Sequence, residues 1–402
     1  MKAIHNLSVL TLLLALAGCY KDEDVRKPNG SDDTRPDVVR NVQVRNFNGG
    51  AVLTYALPSS ANFLYVMAEY RINDGKSRQT KSSYYIDSLV VDGFEKSQEY
   101  EVTLYAVSRA DIKSDPVVVK VHPETPYYKL IKETVSIEPD FGGINILAQN
   151  PAKRPVTVNL ITRNADLGRY EIEEQQFTAL DDVRFSVRGY SSEPREFGVF
   201  ISDQFGNQSD TIFNTVTPFY EELLDKSKFK VYRLPSDAVI DYGWESLYLF
   251  DGLTDGSSNG WHTRGGELPA AVTLDMGQSA KLSRFVMWHR PSAVYSYGSP
   301  KNFSLWGTEK GNPADAQIPT DQPEGTVVGD WTNLGNFRFP DPPSGNAPGS
   351  VTAVDEAFVK AGVNFNVPID APRARYIRLQ VTSTWGGVDY CYFMELSVYG
   401  NP

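Results

Sequence analysis

The sequence is poor in the residues that build redox, metal and hydrolytic centres. Its 402 residues include two cysteines, Cys19 and Cys391, and four histidines, His5, His122, His262 and His289. Two cysteines are too few for a disulfide framework. No two histidines stand at ligand spacing, which argues against a zinc centre. Neither a P-loop nor a G-x-G-x-x-G turn occurs, so two common sequence signs of nucleotide binding are missing. No nucleophile elbow of a serine hydrolase is read in the chain. Positive charge is short: 39 Lys and Arg against 50 Asp and Glu give a net charge of −11. Nucleic acid and anionic membrane surfaces are therefore not expected as the main partner. Long apolar runs are missing except for one near the amino terminus.

That run, Leu7 to Gly18, follows a single lysine, Lys2, and is about a dozen residues long. It is too short to span a bilayer and suits a signal peptide over residues 1–18. Its end, Leu16-Ala17-Gly18-Cys19, resembles a bacterial lipobox. The resemblance implies that the Cys19 thiol is lipidated and becomes the first mature residue, an anchor that needs no transmembrane helix. Tyr20-Lys21-Asp22-Glu23-Asp24 resembles the signal that sends Bacteroidetes lipoproteins to the outer face of the outer membrane. Residues 19–37 are polar, with Pro28, Gly30 and Pro36, and read as a flexible tether. With Cys19 used in this way, Cys391 has no partner and reads as a small buried core residue.

What is abundant is aromatic: 22 Tyr and 20 Phe. Such residues favour strands. From residue 38 to 124 short alternating segments recur, among them Ala51-Val52-Leu53-Thr54-Tyr55 and Tyr100-Glu101-Val102-Thr103-Leu104-Tyr105. Asn48-Gly49-Gly50 and Asn73-Asp74-Gly75 supply the turns. This is the pattern of a small antiparallel sandwich. The region resembles a fibronectin type III domain, with Tyr100 as its tyrosine corner. A second unit, residues 126–218, repeats the pattern: Ser114-Asp115 returns as Ser209-Asp210, and Phe197 to Ser202 takes the part of Tyr100 to Tyr105. Both units read as stiff spacers, with Tyr84, Tyr85 and Phe94 as aromatics that would serve a site on the first. Pro218 to Lys226 reads as one or two helical turns forming a hinge.

Residues 228–402 carry the most specific pattern. Leu249-Phe250-Asp251-Gly252, then Gly260-Trp261-His262-Thr263, precede the strand Ala271-Val272-Thr273-Leu274-Asp275-Met276-Gly277. A next strand, Leu282 to Trp288, and Phe303 to Thr308 follow. Ala374-Arg375-Tyr376-Ile377-Arg378-Leu379-Gln380-Val381, Trp385-Gly386-Gly387 and Met394 to Gly400 close the chain. Together these resemble a discoidin domain (coagulation factor 5/8 type C, and the related family 32 carbohydrate-binding modules). The three units are similar to the domain families DUF4959, DUF5126 and DUF5000. The whole layout resembles Bacteroidetes surface lipoproteins that accompany glycan-uptake machinery.

The fold implied is all-β: tandem immunoglobulin-like or fibronectin-III-like sandwiches followed by a discoidin-type jelly-roll. Many members of the discoidin family carry calcium, which takes hard oxygen ligands. The matching positions here are Asp251, Asp255, Ser257 or Ser258, and Glu395, with a structural role for the ion. For ligand binding, sugars need flat aromatic faces and fixed polar groups. His289, Arg290, Tyr295 and Tyr297, on the loop after Leu282–Trp288, and Trp385 with Tyr390 form the candidate set. Trp261, Trp288 and Trp306 read as core, and Arg375 and Arg378 as structural. The expected function is non-catalytic capture of a poly- or oligosaccharide at the cell surface, in concert with an outer-membrane glycan importer. The alternative is a protein-binding adhesin or assembly subunit. A glycosidase would need two carboxylates at fixed separation, and no domain of catalytic size stands beside the three β units.

Overall fold

The computed structural model describes residues 32–164, 166–256 and 260–402, so Cys19, Ser257 and Ser258 lie outside the described residues. The chain is almost wholly β, in antiparallel sheets. It divides into two compact units.

The first unit contains the chain up to Val135, Ala148–Val183 and Gly198–Ile212. Its leading part has seven strands: β1 (Arg40–Phe47), β2 (Gly50–Ala56), β3 (Phe63–Arg71), β4 (Ser77–Ser83), β5 (Ser88–Asp92), β6 (Tyr100–Ser108) and β7 (Val117–Val121). They form two sheets, β1-β2-β5 and β4-β3-β6-β7. Alternation decides which residues face inward: Val102, Leu104 and Ala106 of β6 are fully buried, while Glu101 faces solvent. They meet Leu53, Leu89 and Val91 of the other sheet in one core. Lys96 N–H donates to the Tyr100 hydroxyl at 3.1 Å, four residues upstream, so Tyr100 is the tyrosine corner its sequence suggests. A single helix, α1 (Tyr127–Lys132), follows.

Residues 136–216 repeat the order: β8 (Ser136–Asp140), β9 (Gly143–Gln149), β10 (Val156–Asn164), β11 (Arg169–Thr178), β12 (Asp182–Arg188), β13 (Arg195–Asp203) and β14 (Ile212–Val216). The sheets are β12-β9-β8 and β11-β10-β13-β14, the same connectivity as before. The four-stranded sheet lies mostly in the first unit, where its β13 turn touches the leading sandwich. Asn207, in that turn, donates to the Gly93 carbonyl at 2.9 Å and accepts from Asn73 at 2.9 Å. The Arg78 guanidinium sits 4.5 Å from the centre of the Phe205 ring.

The second unit comprises Ser136–Leu147, Arg184–Phe197 and Phe213–Pro402. The expected helical hinge at residues 218–226 is mostly extended instead. Its β15 (Glu222–Leu223) pairs with the last strand of the chain. Only Lys226–Lys228 makes a single 3₁₀ turn. Edge hydrogen bonds available along that last strand outweigh the weak helical pattern of so short a segment. The remaining strands are β16 (Lys230–Val231), β17 (Trp261–His262), β18 (Ala270–Trp288), β19 (Pro300–Thr308), β20 (Val327–Val328), β21 (Trp331–Arg338), β22 (Val363–Asn366), β23 (Ala374–Thr384), β24 (Tyr392–Phe393) and β25 (Glu395–Asn401).

Sequence reading makes Ala271–Gly277 and Leu282–Trp288 two strands; they are one bent strand, β18. Its first part pairs with β23 and its second with β22 and β25. The bend lies at Gly277, whose φ of 70° favours glycine and where a Cβ would stand 2.5 Å from the Lys228 carbonyl oxygen. One core, including Leu274, Leu282, Phe285, Phe303, Leu379 and Leu396, fills the interior.

A second helix, α2 (Ala353–Lys360), was not foreseen among the strands. Its sequence sign is Thr352 followed three residues on by Asp355. Thr352 and Ser344 each donate to the buried Asp355 carboxylate from both N–H and hydroxyl. Burial alone would raise this carboxyl, but these four bonds prevail and hold it at about 2.

Candidate functional site

The chain after β18 runs as a loop, Pro291–Gly298, beside two groups of side chains of the second unit. One is an aromatic shelf. Its floor is Trp244 and Tyr392, both buried, in a cluster with Ala293 and Met394. Arg290 lies over this floor, its guanidinium 5.1 Å from the Trp244 ring centre and 5.7 Å from that of Tyr392. The His262 and Tyr390 rings stack with centroids 5.5 Å apart and an angle of 11°. Tyr242, 67% exposed, meets His262 edge to face at 4.7 Å.

The electrostatics of His262 follow from its surroundings. Its Nδ1 lies 2.8 Å from the Thr263 carbonyl oxygen. A carbonyl accepts only, so Nδ1 carries the proton and Nε2 keeps its lone pair. Burial lowers the imidazole pKa, and the Arg290 charge adds to this. The shelf thus offers a neutral imidazole acceptor, a guanidinium donor and an exposed ring face. That is the donor, acceptor and platform set a sugar ring requires.

The second is a cavity of about 520 Å³, lined by Tyr295, Tyr297, Val351, Trp385 and Gly386 and by Glu356 of α2. Trp385 N–H donates to the Ser299 carbonyl at 2.9 Å and Gly386 N–H to that of Tyr297 at 2.8 Å. A Cβ at Gly386 would stand 2.5 Å from the Tyr297 nitrogen, which explains the glycine after Trp385. Tyr295 and Tyr297 hold φ of 51° and 45°, a region that costs bulky residues energy. Lys301 and Arg338 lie 4.9 and 5.6 Å from the Trp385 ring centre.

The expected ligand residues are therefore split. Arg290 and Tyr390 belong to the shelf; Tyr295, Tyr297 and Trp385 belong to the cavity. His289 belongs to neither, and this corrects its expected place. It is 1% exposed and stacked on Phe339 at 3.7 Å, and burial depresses its pKa to about 3. Strand alternation turns its ring inward where Arg290 turns out. Tyr242, Trp244, His262 and Tyr392 were missed as a group. His262 stood in the quoted Gly-Trp-His-Thr string, but nothing local signals that Tyr242 and Tyr392 converge on it.

Among the described residues, those proposed for calcium, Asp251, Asp255 and Glu395, are not gathered into one oxygen cage. Glu395 is fully buried and bonded on one oxygen by the Lys226 ammonium; its other oxygen accepts from Gly252 N–H at 3.1 Å. Burial pushes its carboxyl up to about 7. Asp251 accepts from Leu253 N–H at 2.8 Å, and Asp255 stands on an exposed turn. Among the described residues no group of three or more His, Cys, Asp and Glu is gathered as a metal site. The cation that faces Glu395 is Lys226.

Other candidates resolve into structure. Trp261 and Trp306 are buried and Trp288 is half-buried. Arg375 grips Asp275 through two bonds of 2.9 Å, and the buried Arg378 donates to the Ala316 carbonyl at 3.0 Å. Cys391 is buried, and burial drives its thiol pKa far up. Phe94 is core, between Tyr70 and Tyr100, whereas Tyr85 is 78% exposed beside Tyr84. Gly256-Ser257-Ser258-Asn259-Gly260 does have G-x-S-x-G spacing, contrary to the sequence reading. An elbow needs a strand before it and a helix after it; here a 3₁₀ turn and Asp251–Gly256 precede, and β17 follows.

Comparison with known proteins gives the chain's relatives. Three family models match in tandem: DUF4959 over residues 36–123, DUF5126 over 124–227 and DUF5000 over 250–400, each described as a domain of unknown function. No curated protein matches. Among solved structures, a family 32 carbohydrate-binding module from Clostridium perfringens, solved with galactose, is 16% identical. It covers 44% of this chain and 98% of its own, with a TM-score of 0.29. The C-terminal domain of a chitobiase from Bacteroides fragilis is 19% identical, covering 45% of this chain and 98% of its own at a TM-score of 0.31. A solved SusE-like protein is 30% identical and covers 69% of this chain, with a TM-score of 0.40. Since that identity runs over 100% of the relative's length, the chain belongs to the family of SusE-like proteins.

Proposed function

We propose that the protein is a non-catalytic carbohydrate-binding lipoprotein of the cell surface, which holds glycan through the loop end of its carboxy-terminal domain. The observation that carries this reading is the shelf formed by Tyr242, His262, Arg290 and Tyr390. One exposed ring offers a stacking face. A neutral histidine offers an acceptor and an arginine offers donors. Membership of the SusE-like family supports a role in a glycan-uptake system, and an outer-membrane importer is the partner proposed for it. Among the described residues no helix is long and apolar enough to cross a membrane. Attachment is assigned to lipid on Cys19.

The test is a glycan array with residues 20–402, followed by titration of each hit. Binding that competes with free sugar and weakens in Tyr242→Ala and Arg290→Ala supports the reading. A folded protein that binds no glycan but retains a surface protein would replace it with the adhesin alternative. Turnover of a bound glycan would overturn the non-catalytic assignment. Metabolic labelling with a lipid precursor, lost in Cys19→Ala, tests the anchor.

A further inference from the structure

Arg290 differs from the other sheltered arginines of the second unit. Arg188, Arg284, Arg375 and Arg378 are buried or half-buried, and each has a carboxylate close by: Asp140 at 3.2 Å, Glu221 at 3.1 Å, Asp275 at 2.9 Å and Asp237 at 3.4 Å. Arg290 is half-buried as well. Yet among the described residues no carboxylate stands at salt-bridge distance from it, and no protein oxygen accepts from its guanidinium. What it touches is aromatic, the Trp244 and Tyr392 rings. Ring faces attract a cation, but they bring no oxygen to its planar fork of N–H donors. Sheltering a charge from water is costly unless an opposite charge compensates it. For four arginines the chain supplies that charge itself; for Arg290 it does not.

The carboxylates nearby do not cancel this charge. Asp241, Glu245 and Asp389 adjoin shelf residues in sequence, and all three face solvent. Asp241 accepts from Tyr242 N–H at 2.8 Å. Arg264, also exposed, pairs with Glu267 at 3.4 Å. Salt screens exposed charges beyond about 8 Å at physiological ionic strength. At His262 the effect of the Arg290 charge exceeds that of Asp241. The net charge of −11 therefore acts on a ligand from a distance and weakly, whereas Arg290 acts at contact.

We infer that the glycan held by the shelf is acidic: the carboxylate of a sugar unit meets the Arg290 fork, Tyr242 stacks on a sugar ring and His262 accepts from a hydroxyl. The inference rests on the proposed shelf reading and deepens it by naming the ligand class. A guanidinium binds a carboxylate through two parallel N–H···O bonds, a match that neither a hydroxyl on the ligand nor an ammonium on the protein reproduces. The residues thus divide the task. Arg290 selects for charge, while His262 and Tyr242 hold the sugar whatever its charge.

Calorimetric titration of residues 20–402 at pH 7.5, where His262 is neutral, tests this. The probes are short oligosaccharides of galacturonate, glucuronate and mannuronate, each as the free acid and as the primary amide, which keeps the shape and removes the charge. Neutral galacto-, cello- and manno-oligosaccharides and a sulfated galactan fragment complete the set. In at least one series the acid should bind at least about tenfold more tightly than its amide. Raising NaCl from roughly 0.05 to 0.5 M should weaken the acid and leave the amide unchanged. Arg290→Gln should bring acid and amide to equal affinity. Arg290→Lys should keep the salt dependence with a smaller preference, and Tyr242→Ala should weaken acid and amide alike. Equal binding of acid and amide by the wild type, or binding of neutral or sulfated probes alone, overturns the inference and leaves the glycan reading standing. A preference for acid that survives in Arg290→Gln, with thermal unfolding unchanged, overturns the part given to Arg290. Binding of none of these probes overturns the inference, and a blank glycan array besides overturns the shelf reading with it.

Discussion

Ser114 and Ser209, ninety-five residues apart, make the same two hydrogen bonds. The Ser114 hydroxyl accepts from Ala106 N–H at 3.0 Å and donates to the Asp115 carbonyl at 2.8 Å. The Ser209 hydroxyl accepts from Ile201 N–H at 3.0 Å and donates to the Asp210 carbonyl at 2.7 Å. Each serine ties the strand after a tight turn back to the strand before it. Ser→Ala at either position is expected to cost about 1–2 kcal/mol, because a strand N–H loses its partner. The pair of substitutions, acting at separate sites, should add to within about 0.5 kcal/mol. Chemical denaturation followed by far-UV circular dichroism measures both.

Gly93 sets a steric limit within the first unit. Its φ is 91°, and a Cβ there would lie 2.9 Å from the Phe205 ring. Gly93→Ala should cost about 2–4 kcal/mol through strain and overlap. Asn207→Ala removes bonds to Gly93 and Asn73 and should cost about 2 kcal/mol. Faster hydrogen exchange at residues 73–76 and 93–95, with β3 and β6 protected as before, is the expected signature.

The buried Glu395 makes stability depend on Lys226 and on pH. Its folded pKa, about 7, lies above the ordinary 4.5, so the folded chain takes up the extra proton between these values. Its contribution is therefore most favourable at low pH and falls as pH rises from about 4.5 through 7. Lys226→Met should cost about 3–5 kcal/mol at pH 8. The loss should be smaller at pH 5, where Glu395 takes up a proton. Thermal unfolding at the two pH values reads the difference.

Millimolar calcium should leave the melting temperature of the wild-type chain unshifted, since a ligand stabilises only if it binds the folded state and Lys226 already faces Glu395. A rise in melting temperature that a chelator reverses would show that the chain binds calcium, and its loss in Asp251→Ala would place the ion at the expected turn.

The proposed glycan binding at the shelf carries a directional pH response through His262. Burial lowers its pKa from 6.5, so the acceptor Nε2 persists from pH 8 down past 6.5. Affinity should stay level across that range and decline in more acidic buffer, where the ring gains a proton and a charge beside Arg290. Tyr242→Ala should weaken binding about tenfold at all these values by removing the stacking face. Titration across pH 5–8 with both proteins separates the two effects.

Sequence reading succeeded where periodicity is local. Alternation along Tyr100–Val107 exposed the sandwich, and Tyr100 itself announced its corner. It also placed Trp261 and Trp306 in the core. It failed where the decision is tertiary. Glu222 and Leu223 carry no strand signal of their own; they are extended because β25 offers hydrogen bonds. The break between residues 277 and 282 suggested two strands, because a bend and a chain reversal both call on glycine. The site residues divided for a similar reason. Arg290 and Tyr295 are five positions apart, yet Arg290 lies over Trp244 and Tyr392 while Tyr295 packs against Phe339 and Trp385. Tyr242, His262 and Tyr392 are scattered along the chain and meet only after folding.

The bend at Gly277 also governs how the carboxy-terminal domain comes apart. Because the first part of β18 is bonded to β23 and its second part to β22 and β25, neither group of strands can open without straining a strand that the other still holds. No seam remains along which half the domain could peel away. The loops that this domain carries should therefore share one fate: they are lost together at global unfolding, and amide exchange along Ala270–Trp288 should report a single free energy from end to end.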